Sequence, residues 1–152
     1  MTTKTKHYKS FFDKTESDCV FEYLQKIEWH DGIKKTRKAK MVDLSAEDEF
    51  SERIATIVLT VVSELKMNDI NILGAYINNY RDGNDHAPTH SHPKQVQIII
   101  SFGETRTLIV GKKSYPVGHG DVVVFGSSSH SVPKEKDKKQ RISIAVFCEK
   151  NG

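Results

Sequence analysis

Cysteine is scarce in this 152-residue chain: there are two, Cys19 and Cys148, near opposite ends and in no CxxC pair. A disulfide framework is therefore not expected, and a reducing compartment fits. Long apolar runs are missing as well. The most apolar stretch, residues 54–62, falls far short of the roughly 18 residues a membrane span needs. The opening MTTKTKHYKS carries charge but no apolar core of a secretory signal. The expectation is a soluble intracellular protein, cytoplasmic or nuclear, with no membrane partner. A charge excess of one sign is also missing. Lys plus Arg number 23 against 20 Asp plus Glu, a balance of +3 that by itself identifies no polyanionic partner. Repeats and low-complexity segments are absent.

What is present suits one folded domain of 1–152, expected as a monomer. One Trp, five Tyr and seven Phe are too many for a disordered tail, and 37% hydrophobic residues can fill a core. Residues 1–68 read as helical. Thr15-Glu16-Ser17-Asp18 resembles a capping box, followed by Val20, Phe21, Leu24 and Ile27 at helical spacing. Ser45 is a candidate cap for a second helix, in which Phe50, Ile54, Ile57, Val58, Val61, Val62 and Leu65 trace one face. Between them, residues 33–40 carry Lys34, Lys35, Arg37, Lys38 and Lys40 with no acid, a short basic segment.

From residue 69 the pattern changes to β-branched runs broken by glycine. Strands are predicted at 72–80, 95–102, 106–110, 121–125 and 141–148. Helices first and closely spaced strands after imply an α+β fold, with two supporting N-terminal helices outside a sheet sandwich or barrel formed by 69–152.

Five of the seven histidines fall between His86 and His130. In His90-Ser91-His92 two imidazoles share one side if the segment is extended, and His130 follows a distant strand. Such a set suits Fe(II), Zn(II), Cu(II) or Ni(II). Taken alone, an HxH pair is more often a polar loop pair than a ligand pair. His7, His30, His86 and His119 read as surface or turn residues.

The neighbouring residues add a resemblance. Asn78-Asn79-Tyr80-Arg81-Asp82-Gly83-Asn84-Asp85-His86-Ala87-Pro88-Thr89-His90 resembles the NxYxxGxDxxxxH segment of the AlkB-like 2-oxoglutarate/Fe(II) dioxygenases. Ser101-Phe102-Gly103-Glu104-Thr105-Arg106, Gly120-Asp121 with its apolar strand, His130-Ser131-Val132-Pro133 and Arg141-Ile142-Ser143-Ile144 are similar to further motifs of that family, in the same order. The resemblance implies a double-stranded β-helix, the jelly-roll or cupin-like barrel, and a dioxygenase that hydroxylates a substrate C–H, with Fe(II) as metal and 2-oxoglutarate as co-substrate. It implies metal ligands at His90, His92 and His130, and co-substrate contacts from Asn78, Tyr80, Arg141 and Ser143. For substrate it implies an alkylated nucleic-acid base and oxidative demethylation, with Lys34, Lys35, Arg37 and Lys38 on a short lid, though such a run reads equally as a solvated loop. Arg106 reads either as a contact at the pocket mouth or as one half of a cross-strand ion pair. A protein or small-molecule substrate fits the residues as well.

Two positions depart from the family pattern. His92 stands where the family has aspartate, which leaves three readings: a third neutral ligand, a weakened site or a lost activity. Phe147 stands where the AlkB group usually has a second arginine, six residues beyond the first. Two other functions therefore remain open. One is a cupin-type three-His metal dioxygenase that does not use 2-oxoglutarate. The other is a catalytically impaired β-helix that only binds.

Overall fold

The computed structural model describes residues 3–32 and 35–151. Its elements in chain order are β1 (Lys6–Tyr8), α1 (Lys14–Gln25), β2 (His30–Asp31), β3 (Lys38–Val42), α2 (Glu49–Glu64), β4 (Ile70–Tyr80), β5 (Ala87–His90), β6 (Val96–Gly103), β7 (Arg106–Val110), β8 (Lys113–Val117), β9 (Val122–Phe125), β10 (His130–Val132) and β11 (Arg141–Lys150). The strands form two antiparallel sheets. One has the order β1-β9-β6-β11-β4-β3-β2, the other β5-β10-β7-β8. Consecutive strands β4 to β11 alternate largely between the two sheets, which is the winding of a double-stranded β-helix.

Alternation along the strands explains the layering. On β11, Ile142, Ile144, Val146 and Cys148 face the helices and join Leu24, Ile54, Val58 and Val61 in one core. The intervening Arg141, Ser143, Ala145 and Phe147 face the barrel interior. On β6, Ile98, Ile100 and Phe102 face the helices, while Gln97 and Ile99 line the interior. The seven-stranded sheet thus carries an apolar face outward to the helices and a mixed face inward, and the polar half of that inner face forms the site.

Both helices begin at an aspartate rather than at the residues the sequence suggested. Asp13 caps α1, accepting from the Glu16 amide at 2.8 Å, and Asp48 caps α2, accepting from the Ser51 amide at 2.9 Å. Ser45 instead donates to Asp43 in the turn before α2. The segment read as purely helical also supplies strands: β1 pairs with β9, and β3 extends the large sheet beyond β4. Among the described residues no helix is long and apolar enough to cross a membrane.

Candidate metal centre and its pocket

β5 and β10 are neighbours in the small sheet, with His130 opposite His90 in register. His92 follows the end of β5 by two residues. The three histidines converge so that one ring nitrogen from each lies within 4.8 Å of the others. Metal–nitrogen bonds of about 2.0–2.1 Å would draw these nitrogens to roughly 3 Å apart, a closure within the reach of side-chain rotation. Carbonyls fix two of the tautomers. His90 Nδ1 donates to the Pro88 carbonyl at 2.7 Å and His130 Nδ1 to the Ser128 carbonyl at 3.3 Å. Each ring therefore keeps its proton on Nδ1 and offers the Nε2 lone pair. Burial, with His90 adding to it, lowers the His130 pKa to about 4 and also lowers that of His92. Neutral imidazole is the form a metal takes.

The triad closes one end of a cavity of about 360 Å³ between the sheets. Asn78, Tyr80, Arg141 and Ser143 line it, brought together because β4 and β11 pair with Arg141 opposite Tyr80 and Ser143 opposite Asn78. Arg141 is 1% exposed. Its Nε donates to Ser101 Oγ at 2.8 Å, and its guanidinium carbon lies 5.1 Å from the Tyr80 ring centroid. Its Nη2 is buried without a partner among the described residues. An uncompensated guanidinium is costly to bury, and among the described residues no acidic side chain lines the cavity. The pocket is built for an anion.

The basic segment is not the lid that was expected. Lys38 and Lys40 lie on β3. Lys38 pairs with Asp31 at 2.5 Å, and Lys40 lies over the Phe50 ring at 5.0 Å. Lys35 is exposed in the turn before β3, and Lys34 lies outside the described residues. Among the described residues of this group Arg37 alone lines the cavity, where its Nε donates to Asn78 Oδ1 at 2.7 Å.

Arg106 is not at the pocket mouth, which corrects its reading as a substrate contact. It is fully buried beyond the cavity wall. Its guanidinium donates to the carbonyls of Asp82, Asp85 and Pro133 at 3.1, 2.8 and 2.8 Å, and to Glu135 at 3.4 Å. It ties the β4–β5 turn to the loop after β10. Gly83 belongs to the same junction, since any Cβ there would overlap the Glu135 carbonyl. His7 is likewise not a surface residue: its Nε2 meets Asp121 at 2.9 Å. His119 bridges the Gly103 amide and Asp18.

Three relationships at the site escaped the sequence reading. Gln97 lines the cavity, Phe125 lies against His130, and Phe147 lies against His92. Strand alternation could have placed Gln97 on the inner face, whereas both aromatic contacts depend on which strands become neighbours.

No family model matches the chain, and no curated protein matches it. Solved structures do. HygX from Streptomyces hygroscopicus, determined with nickel and 2-oxoglutarate, superposes with a TM-score of 0.73 at 12% identity, over 98% of this chain and 84% of that one. The epimerase SnoN from nogalamycin biosynthesis, described as non-heme and alpha-ketoglutarate dependent, gives 0.71 at 10% identity, over 97% and 78%. A prolyl-4-hydroxylase from Pseudomonas putida gives 0.68 at 14% identity, over 99% and 94%. At these identities the agreement is one of fold, and with the winding of β4 to β11 it establishes that the chain is a double-stranded β-helix.

Proposed function

We propose that the protein is a 2-oxoglutarate- and Fe(II)-dependent oxygenase of AlkB-like type that hydroxylates a substrate C–H. The observation that carries this reading is Arg141 Nη2, buried and without a partner among the described residues, in a cavity whose far end is the histidine triad. A guanidinium fork suits a carboxylate, and three neutral imidazoles suit a divalent iron. The residues present therefore fit a metal chelated by a keto diacid. Three imidazoles leave the metal at +2, which the 2-oxoglutarate dianion neutralises.

The bound iron and keto acid supply the oxidising chemistry, in which O2 converts 2-oxoglutarate to succinate and CO2 and delivers one oxygen atom to the substrate. The chain supplies the rest. His90, His92 and His130 hold the metal through Nε2 of His90 and His130 and a ring nitrogen of His92. Arg141 binds the distal carboxylate, and Tyr80, Asn78 and Ser143 orient it. Ile99, Leu108, Val132 and Phe147 keep the wall apolar and limit water.

For the substrate, the positions of Lys38, Lys40 and Arg37 count against a continuous phosphate track along the basic segment. We favour a small substrate entering past Arg37. An N-methylated nucleic-acid base is the competing class, and turnover of a methylated oligonucleotide would overturn that preference. Calorimetry of the Ni(II)-loaded protein tests the main reading. Arg141→Met should weaken 2-oxoglutarate at least thirtyfold, as truncating a buried charge pair by about 2 kcal/mol or more implies, with Ni(II) affinity unchanged. Unchanged 2-oxoglutarate affinity refutes it. Iron-dependent O2 uptake without 2-oxoglutarate would favour a cupin-type dioxygenase, and metal binding with no turnover a binding domain.

A further inference from the structure

Gln97 sits on the inner face of β6 with its side chain 1% exposed. In register it stands between Phe147 on β11 and Phe125 on β9. The Phe147 ring lies 5.2 Å from His92, and the Phe125 ring 4.8 Å from His130. The amide is thus flanked on both sides by rings that touch the triad. It lines the cavity, yet Nε2 is buried without a partner among the described residues. Ile99, two residues along, shows that the same face accepts a plain hydrocarbon. Unpaired buried amide donors are costly, so a partner from outside the chain is called for.

The cavity wall indicates its charge. Arg37 and Arg141 line the space beside three neutral imidazoles, with no acid among the described residues. A half-turn about the last torsion lets the amide present either oxygen or NH2, and an anionic guest selects NH2. Spacing agrees. The Arg141 side chain leans along its strand to Ser101, which stands opposite Ser143. From that level to Phe147 and Gln97 is four residues, about 13 Å of strand. An extended five-carbon diacid hydrogen-bonded at both ends also spans about 13 Å.

We infer that Gln97 Nε2 donates a hydrogen bond to the carboxylate beside the keto group of 2-oxoglutarate, at the metal end of the cavity, while Arg141 holds the distal carboxylate. This assignment rests on the proposed function. Two ligands separate the contacts: 2-oxoglutarate, and 4-oxopentanoate, which keeps the ketone and distal carboxylate but has methyl in place of the other carboxylate.

With the full chain loaded with Ni(II), Gln97→Leu should weaken 2-oxoglutarate roughly ten- to a hundredfold and leave 4-oxopentanoate binding unchanged. Gln97→Met, closer in shape, should do the same. With Fe(II), the charge-transfer absorption of the bound keto acid should shift in both variants. Equal 2-oxoglutarate affinity in wild type and variants overturns the assignment, as does an equal loss for both ligands. Failure of the wild-type protein to bind 2-oxoglutarate overturns the proposed function and this assignment with it.

Discussion

The imidazole of His92 lies against the phenyl ring of Phe147, with centroids 5.2 Å apart and planes inclined at 59°. These are the two positions at which the sequence departs from the AlkB-like pattern, and the fold makes them neighbours. An aspartate and an arginine there would attract as charges, whereas an imidazole and a phenyl ring pack. Changing one alone leaves a half-buried charge unpaired. His92→Asp and Phe147→Arg should therefore each destabilise the apoprotein, and the double variant should recover part of the loss. The expected coupling is about 0.5–3 kcal/mol, read from urea unfolding of the four proteins. Strict additivity would show that the two positions vary independently.

His130 makes apoprotein stability depend on pH. Its folded pKa is lowered to about 4, chiefly by burial, while an unfolded histidine titrates near 6.5. Between these values the unfolded chain takes up a proton that the folded chain refuses, so stability falls as pH drops from about 6.5 and levels off below about 4. The loss from this group is at most about 3 kcal/mol. Urea midpoints at pH 7, 5.5 and 4 should follow this course, and His130→Asn should flatten it. Ni(II) at a thousand times its dissociation constant should add about 4 kcal/mol at pH 7, and less as protons compete for the rings.

Arg106 is a clamp, and its loss should be felt in folding. Arg106→Met strands the carbonyls of Asp82, Asp85 and Pro133 and removes the cation beside the Glu135 carboxylate, which keeps the Thr107 amide as a donor at 2.6 Å. Hydrogen bonds to a charged group contribute about 1.5–3 kcal/mol each, though not additively. A destabilisation of about 3 kcal/mol or more is expected in denaturant unfolding. Affinity for 2-oxoglutarate, measured below the unfolding transition, should change less than threefold. A selective loss of ligand binding in a stable variant would return Arg106 to the pocket.

The sequence made the inner face of β11 legible because alternation is local: Arg141, Ser143, Ala145 and Phe147 follow from period two alone. The histidine cluster was legible from spacing and from the motifs around it. The cation run misled because like charges in a row suggest a loop, while two of its five cations, Lys38 and Lys40, lie on β3, an added strand neutralised in part by Asp31. Strands β5, β8 and β10 escaped because they are short, and β5 and β8 each contain proline. Arg106 and Gln97 differ for a related reason. Both are polar residues on strands, and only the pairing of distant segments decides that one meets carbonyls and the other meets none.

Asp121, from the Gly-Asp motif before β9, anchors the N-terminal strand. Its carboxylate accepts from the Ser10 amide at 2.8 Å, the Gly118 amide at 2.8 Å and His7 Nε2 at 2.9 Å. Burial pushes its pKa up, but these donors together outweigh burial and hold it below the ordinary value. A depressed folded pKa contributes stability that is present above the unfolded value near 3.8 and is lost as pH falls through the folded one. This window lies below that of His130, so the two are separable in one titration. Asp121→Asn should cost about 1–3 kcal/mol at pH 7 and less at pH 3. It should also speed amide exchange at residues 6–8, because β1 is held to β9 beside these contacts. An equal cost at pH 7 and pH 3 would show that the side chain acts through shape rather than charge.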